Sequence, residues 1–403
     1  MRGSSLLKSL RIGDAVLPVP VVQGGMGVGV SLSGLAGAVA ACGGLGVISA
    51  AQIGYRDKDF DLDPVGCNLR AIKEEMIKAR QIVKEYSGCL KCAAGSRIGM
   101  IGVNIMVATQ RYEEYVKAAI EAGADMIISG AGLPMTLPEL AGKAKTKLAP
   151  IVSSVKSAQV IMKYWLKKYN RLPDMVVIEG PLAGGHLGFA AEQLEDVDGL
   201  CYEDEIVRII GHVKECAQLH GKEIPVVIGG GIYTRKDAER CFELGASGVQ
   251  MATRFVTTYE CDASAAYKQA YMDARKEDIV IVKSPVGMPG RAIFNEFMRR
   301  AAKERIPHGR CHGCIVTCKP NETPYCITDA LINAVRGNVE QGLIFCGANA
   351  FRADGLEHVE DILKEFLPEE AEGRAGFDGS SMGGERDGDI CSRGSDSQGR
   401  RTR

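Results

Sequence analysis

Short apolar runs alternate with amphipathic segments along most of this chain. The runs are Val19 to Gln23, Leu45 to Ala50, Met100 to Val107, Met126 to Ser129, Ala149 to Ser153, Met175 to Ile178, Ile224 to Ile228 and Gly248 to Met251. Several are rich in Val and Ile, as strands covered on both faces must be. Between and after them, helical spacing of apolar positions marks Ser33 to Ala41, Leu69 to Glu85, Tyr112 to Ala122, Ala158 to Tyr169, Glu203 to His220, Arg235 to Leu244 and Ala263 to Asp273. The fourth connection, through Leu137-Pro138-Glu139-Leu140, is short and weakly patterned. About eight strand–helix pairs predict an α/β fold, the (β/α)8 TIM barrel, whose ligands bind in the loops that follow the strands.

Glycine-rich segments occupy that position. Gln23-Gly24-Gly25-Met26-Gly27 follows the first strand, Ser129-Gly130-Ala131-Gly132 the fourth and Gly229-Gly230-Gly231 the seventh. An open doubly wound sheet is the alternative, but the first of these loops lacks the acidic partner expected about 20 residues further on. Beyond the eighth strand, Ile279 to Val282 reads as another strand, and the turn-rich Ser284 to Arg291 is expected to cover the barrel mouth. Asn295 to Arg305 and Thr328 to Gln341 read as helices with Cys311 to Cys326 between them, and a short helix spans His358 to Phe366. The expected organisation is a barrel with its covering segment over 1–300, a cysteine-containing helical extension over 301–367, and a disordered tail over 368–403, where Gly, Ser, Asp and Arg replace apolar periodicity.

Composition narrows the class. With 403 residues, 46% of them hydrophobic, the chain can bury one large core. A net charge of −1 supplies no basic field for a polyanion, so nucleic acid is not an expected partner. Met1 to Asp14 lacks a continuous apolar stretch, and no run reaches the roughly 18 apolar residues of a membrane span, so the expected location is the cytoplasm. In such a chain the 14 cysteines are expected to be thiols or metal ligands rather than disulfides.

The candidate chemistry centres on Glu179-Gly180-Pro181-Leu182-Ala183-Gly184-Gly185-His186-Leu187-Gly188, which begins where the sixth strand ends. Glycines on both sides of His186 admit a flat ligand to the backbone, and a histidine there can exchange a proton near neutral pH. The bland alternative, a core or loop-stabilising histidine, is outweighed by the barrel pattern around it. Gly229-Gly230-Gly231 and Gln250-Met251-Ala252-Thr253-Arg254 follow the seventh and eighth strands, where barrels commonly hold phosphate on backbone N–H groups. A phosphate-bearing ligand is expected, without a choice among flavin mononucleotide, a sugar phosphate or pyridoxal phosphate. Asn104 ends the third strand, placed either to hydrogen-bond a heteroaromatic ring or to satisfy loop backbone. Lys156 follows the fifth, either to stabilise a reduced anionic ring or as a solvated surface lysine.

In order along the chain, Val19 to Ser49, Gly102-Val103-Asn104, Gly130-Ala131-Gly132-Leu133-Pro134, Ala183-Gly184-Gly185-His186, Gly229-Gly230-Gly231 and Gly248-Val249-Gln250-Met251 resemble the nitronate monooxygenase (2-nitropropane dioxygenase-like) family. That family also includes flavin-dependent enoyl-acyl-carrier-protein reductases, and the likeness runs from about Ser9 to Phe297. The resemblance implies an FMN-bound barrel acting on a small molecule. It puts Gln23, Gly24, Gly25 and Met26 along the flavin, Asn104 and Ser129 at its ring or ribityl chain, and Gly230, Gly231, Gln250, Ala252 and Thr253 around its phosphate. Lys156, Gly185, Gly229 and Met251 complete the expected cofactor set. By the same resemblance His186 is the active-site histidine, orienting an alkyl nitronate or taking a proton from a nitroalkane on the way to a carbonyl compound and nitrite.

Two kinds of departure qualify the likeness, the first in the loop motifs. Leu182 stands where many relatives carry Glu before Ala-Gly-Gly-His, so a carboxylate beside the flavin is expected to be missing. The first loop, Gln23-Gly24-Gly25-Met26, follows the reductase style, which keeps NAD(P)H-dependent reduction of an enoyl thioester open. The second departure is Cys311-x2-Cys314-x3-Cys318-x7-Cys326, four soft ligands suited to an iron–sulfur cluster or zinc. Cys89-x2-Cys92, before the third strand, is a weaker pair, read as structural or incidental. A reading from another class is a phosphate-ligand sensor or interaction module on a catalytically idle barrel.

Overall fold

The computed structural model describes residues 7–89, 98–307 and 309–368. Cys92 and nearly all of the expected tail lie outside them, as does the Cys89 side chain. A hairpin, β1 (Leu10–Ile12) and β2 (Ala15–Leu17), precedes the barrel. The barrel strands are β3 (Val21–Gln23), β4 (Leu45–Ser49), β5 (Met100–Met106), β6 (Met126–Gly130), β7 (Lys147–Val152), β8 (Val176–Glu179), β10 (Val226–Gly229) and β11 (Gly248–Met251). They close in parallel register, with β11 pairing back onto β3 through Val249↔Val21. Around them run α1 (Ser33–Ala41), α2 (Pro64–Cys89), α3 (Tyr112–Glu121), α4 (Leu137–Ala141), α5 (Val155–Tyr169), α6 (Tyr202–Leu219), α7 (Arg235–Glu243), α8 (Thr253–Val256) and α9 (Ala265–Met272).

The continuous apolar runs have a simple cause. Alternate strand residues face opposite ways, and here both faces are dry. Val22, Val47, Ile128, Val177 and Val227 fill the barrel interior together with Leu10, Ile12 and Leu17 of the hairpin, which plugs one end. Their neighbours Val21, Ile48, Ile127, Ile178 and Ile228 pack outward against the helices. The other end remains available for a ligand.

A three-stranded antiparallel sheet lies over that end, in the order β12 (Ile279–Lys283), β13 (Pro289–Ile293), β9 (Gly185–His186). The turn-rich covering segment is therefore half strand, and the strand it recruits is the histidine loop itself. Further on come α10 (Glu296–Ala301), α11 (Ile327–Arg336) and α12 (Val359–Lys364). α11 stops five residues short of the expected Gln341 because Gly337 takes φ +102°, a left-handed cap. The extension is part of the barrel's own core, since Val359, Ile362, Leu363 and Phe366 are buried within the outer cluster. Arg254 anchors it: the buried guanidinium donates to both carboxylates Glu357 and Glu365 and to the Tyr233 carbonyl. No described helix is long and apolar enough to cross a membrane.

Candidate active site

The loops after the barrel strands frame one cavity. Its wall includes Gly24, Gly25 and Met26 after β3, Asn104 at the end of β5, Glu179 and the loop Leu182 to His186 after β8, Gly229 to Gly231 after β10, and Gln250, Ala252 and Thr253 at the end of β11. Most of the residues singled out from sequence are thus brought together. Four are placed elsewhere. Gln23 is fully buried and uses its side chain inside the barrel, accepting from the Val47 N–H at 3.0 Å and donating to the Gly24 carbonyl. Ser129 is fully buried too, donating to the Ile105 carbonyl at 2.7 Å and meeting the Tyr112 hydroxyl at 2.9 Å. Met251 belongs to the outer core, and Lys156 is exposed in the first turn of α5.

Glycine is required where backbones meet in this wall. A Cβ on Gly25 would lie 2.4 Å from the Asn104 Cβ, so the loop packs directly onto the Asn104 side chain and only glycine fits there. Gly230 and Gly231 hold φ +107° and +80°, and a Cβ on Gly230 would lie 3.1 Å from the Ala183 nitrogen and the Gly180 oxygen. The result is a bare backbone cradle facing the cavity, the kind of surface on which phosphate and planar rings approach main-chain N–H groups.

His186 is held from three sides. Its backbone pairs with Gly290 in β13, its Nε2 lies 2.7 Å from the Ser284 hydroxyl, and its ring meets Phe345 edge-on at 4.9 Å. Burial pushes the imidazole down to about 4, so it is neutral at physiological pH. Arg291, buried beside it in sequence register with Gly185, donates from Nη1 to the carbonyls of Pro181 and Ala183 and so fixes the loop's path.

A carboxylate does stand in this cavity, though not where the family motif suggested. Glu179 ends β8, pairs in register with Gly229 and lines the wall, three residues before Leu182. Desolvation raises its carboxyl from the ordinary 4.5 to about 7. In the sequence it opened the candidate loop without a role of its own; the structure makes it the last residue of β8. Phe345, Cys346 and Gly347 also line the wall, from the extension, along with Tyr267 and Tyr271 of α9. Sequence reading missed them because they reach the barrel mouth by a long return of the chain. Cys346 donates its backbone N–H to the Arg291 carbonyl, and the Tyr271 hydroxyl donates to the Phe345 carbonyl at 2.5 Å.

The cysteine cluster is divided. Cys326 comes together with His312 and Asp329, whereas Cys311, Cys314 and Cys318 do not join that group.

A closed barrel with a glycine-lined cavity at its strand ends, whose wall carries a half-buried neutral histidine and a carboxyl of raised proton affinity, is the architecture of a TIM-barrel enzyme. The chain belongs to the nitronate monooxygenase family, whose sequence profile matches residues 9–369, and it is an oxidoreductase. A probable nitronate monooxygenase of Staphylococcus saprophyticus is 28% identical over 292 residues, 70% of this chain and 77% of that protein. One from Staphylococcus haemolyticus is 25% identical over 330 residues, 79% and 83% of the two chains. Among solved structures, FabK from Thermotoga maritima superposes with a TM-score of 0.63 at 24% identity, covering 89% of this chain and 94% of that one. A nitroalkane oxidase from Streptomyces ansochromogenes gives a TM-score of 0.63 at 19% identity, covering 89% and 97%. At these identities the two structures speak for the fold alone.

Proposed function

We propose that this chain is an FMN-dependent nitronate monooxygenase, oxidising alkyl nitronates with O2 to carbonyl compounds and nitrite. The observation that carries the reading is the single cavity in which the Gly229–Gly231 cradle, the Gly24–Gly25 wall, Glu179 and His186 all meet. The residues present suit FMN: Gly230, Gly231, Gln250, Ala252 and Thr253 would hold its phosphate, and Gly24, Gly25, Met26 and Asn104 its ring system. Bound there, FMN supplies the electron acceptor.

The protein's part is positioning and proton control. A neutral His186, oriented by Ser284, offers a hydrogen bond to an anionic nitronate oxygen without needing to be charged. Glu179 near its midpoint at neutral pH accommodates an anion when protonated and accepts the α-proton of a neutral nitroalkane when ionised. Nitronate oxidation is therefore favoured below about pH 7 and nitroalkane deprotonation above it, given the raised Glu179 carboxyl.

The test is the visible spectrum of anaerobically purified protein. Flavin bands that bleach on adding a nitronate and return in air with nitrite release support the proposal. Bands unmoved by nitronate but bleached by NAD(P)H, and restored by an enoyl thioester, assign the chain to the reductase activity instead. Bands that no donor bleaches favour the non-catalytic sensor.

A further inference from the structure

Away from the barrel mouth, His312, Cys326 and Asp329 place their ligand-type atoms within 4.8 Å of one another. We propose that these three side chains bind a zinc ion whose fourth position is a water from the adjoining cavity.

The donor set selects the metal. One imidazole, one thiolate and one carboxylate form a mixed set suited to zinc, while an iron–sulfur cluster needs several thiolates that this group does not provide. The spacing is close to what an ion needs. Ligand bonds of about 2.0–2.3 Å in a tetrahedron set donor atoms roughly 3.3–3.8 Å apart. His312 Nε2 and Asp329 Oδ1 now share a 2.7 Å contact and would separate by about 0.6 Å to admit the ion. The local frame supports this: Cys326 is the N-cap of α11 and Asp329 lies in its first turn, one face of a helix end, while His312 is braced by the Phe60 ring at 5.4 Å.

An independent observation points into the same place. Tyr325 is 2% exposed and lines the cavity that these three residues share, yet its hydroxyl has no hydrogen-bond partner. A buried phenol without a partner is uncommon, and a water held in this cavity would supply one. The ion would then fasten the 309–326 segment to α11. That segment donates from the Val316 N–H to the Ala108 carbonyl and from the Thr317 hydroxyl to the Val286 carbonyl, two residues from Ser284.

The experiment uses the full chain, freed of metal with a chelator and titrated with Zn2+ against a chromophoric chelator. One tight zinc per chain is expected, lost in Cys326→Ser and His312→Gln and retained when Cys311, Cys314 and Cys318 are all changed to Ser. No tight uptake by the wild type overturns the proposal, as does loss in the triple variant with retention in Cys326→Ser. Should the single variants fail to fold, Co2+ loaded into the wild type decides: charge-transfer absorption of one thiolate supports the site, and that of several thiolates refutes it.

Discussion

Replacing Glu179 with Gln should change the pH dependence of stability in a way that isolates this one desolvated group. The carboxyl is raised from 4.5 to about 7 by desolvation, so the folded chain holds its proton over a range where the unfolded chain has released it. Stability from this group is fully present below about pH 4.5 and is lost as pH rises through about 7, because folding must then recapture a proton or bury a charge. Integrated across that gap, the penalty levels at about 3 kcal/mol on the alkaline side. Gln fills the same volume and carries no such term. Urea unfolding of both proteins at about pH 5 and about pH 8 gives the answer, since all other titrating groups cancel in the difference. Between the two pH values the variant should gain on the wild type by about 2.5 kcal/mol, because a little of the penalty is already present at about pH 5. Curves that stay parallel across the range would refute the claim that Glu179 is a desolvated acid. With nitronate as substrate, the same substitution should remove an inflection near pH 7 from the rate profile.

His186→Ala should retain flavin, because the phosphate cradle lies on other loops, while turnover falls by about 100-fold or more; unchanged kinetics with a good substrate would exclude the imidazole from the chemistry. Gly230→Val should lower flavin occupancy, since its φ of +107° and the 3.1 Å approach of Ala183 leave no room for a branched side chain; full occupancy by absorbance would argue against the cradle. Arg254→Met leaves Glu357 and Glu365 without their shared cation and should cost about 3 kcal/mol, read as a lower urea midpoint with earlier proteolysis near residue 360. An unshifted midpoint would show that the extension is held by its apolar contacts alone.

The barrel was readable because its strands are apolar on both faces, so Val21 to Gln23 and Val226 to Gly229 stand out against any helix. The glycine loops were equally plain, since only glycine permits the approach seen at Gly25 and the positive φ at Gly230. Gln23 and Ser129 were harder: a polar residue at a strand end serves a ligand or the backbone next door, and spacing does not say which. Both turned out to bond within the barrel. Glu179 was hidden in the opposite way, as its ordinary place at the end of a strand gave no hint that its neighbours would exclude water. Phe345 and Cys346 reach the cavity through contacts with segments far away in the chain, at Arg291, Tyr271 and His186, and no local pattern encodes those.

His186 is a strand residue of the covering sheet, paired with Gly290 and bonded to Ser284. The hydrogen bonds that hold the covering sheet together are thus the same ones that orient the imidazole, so a change anywhere in that hairpin that shifts Gly290 or Ser284 is felt at the candidate site without touching the barrel.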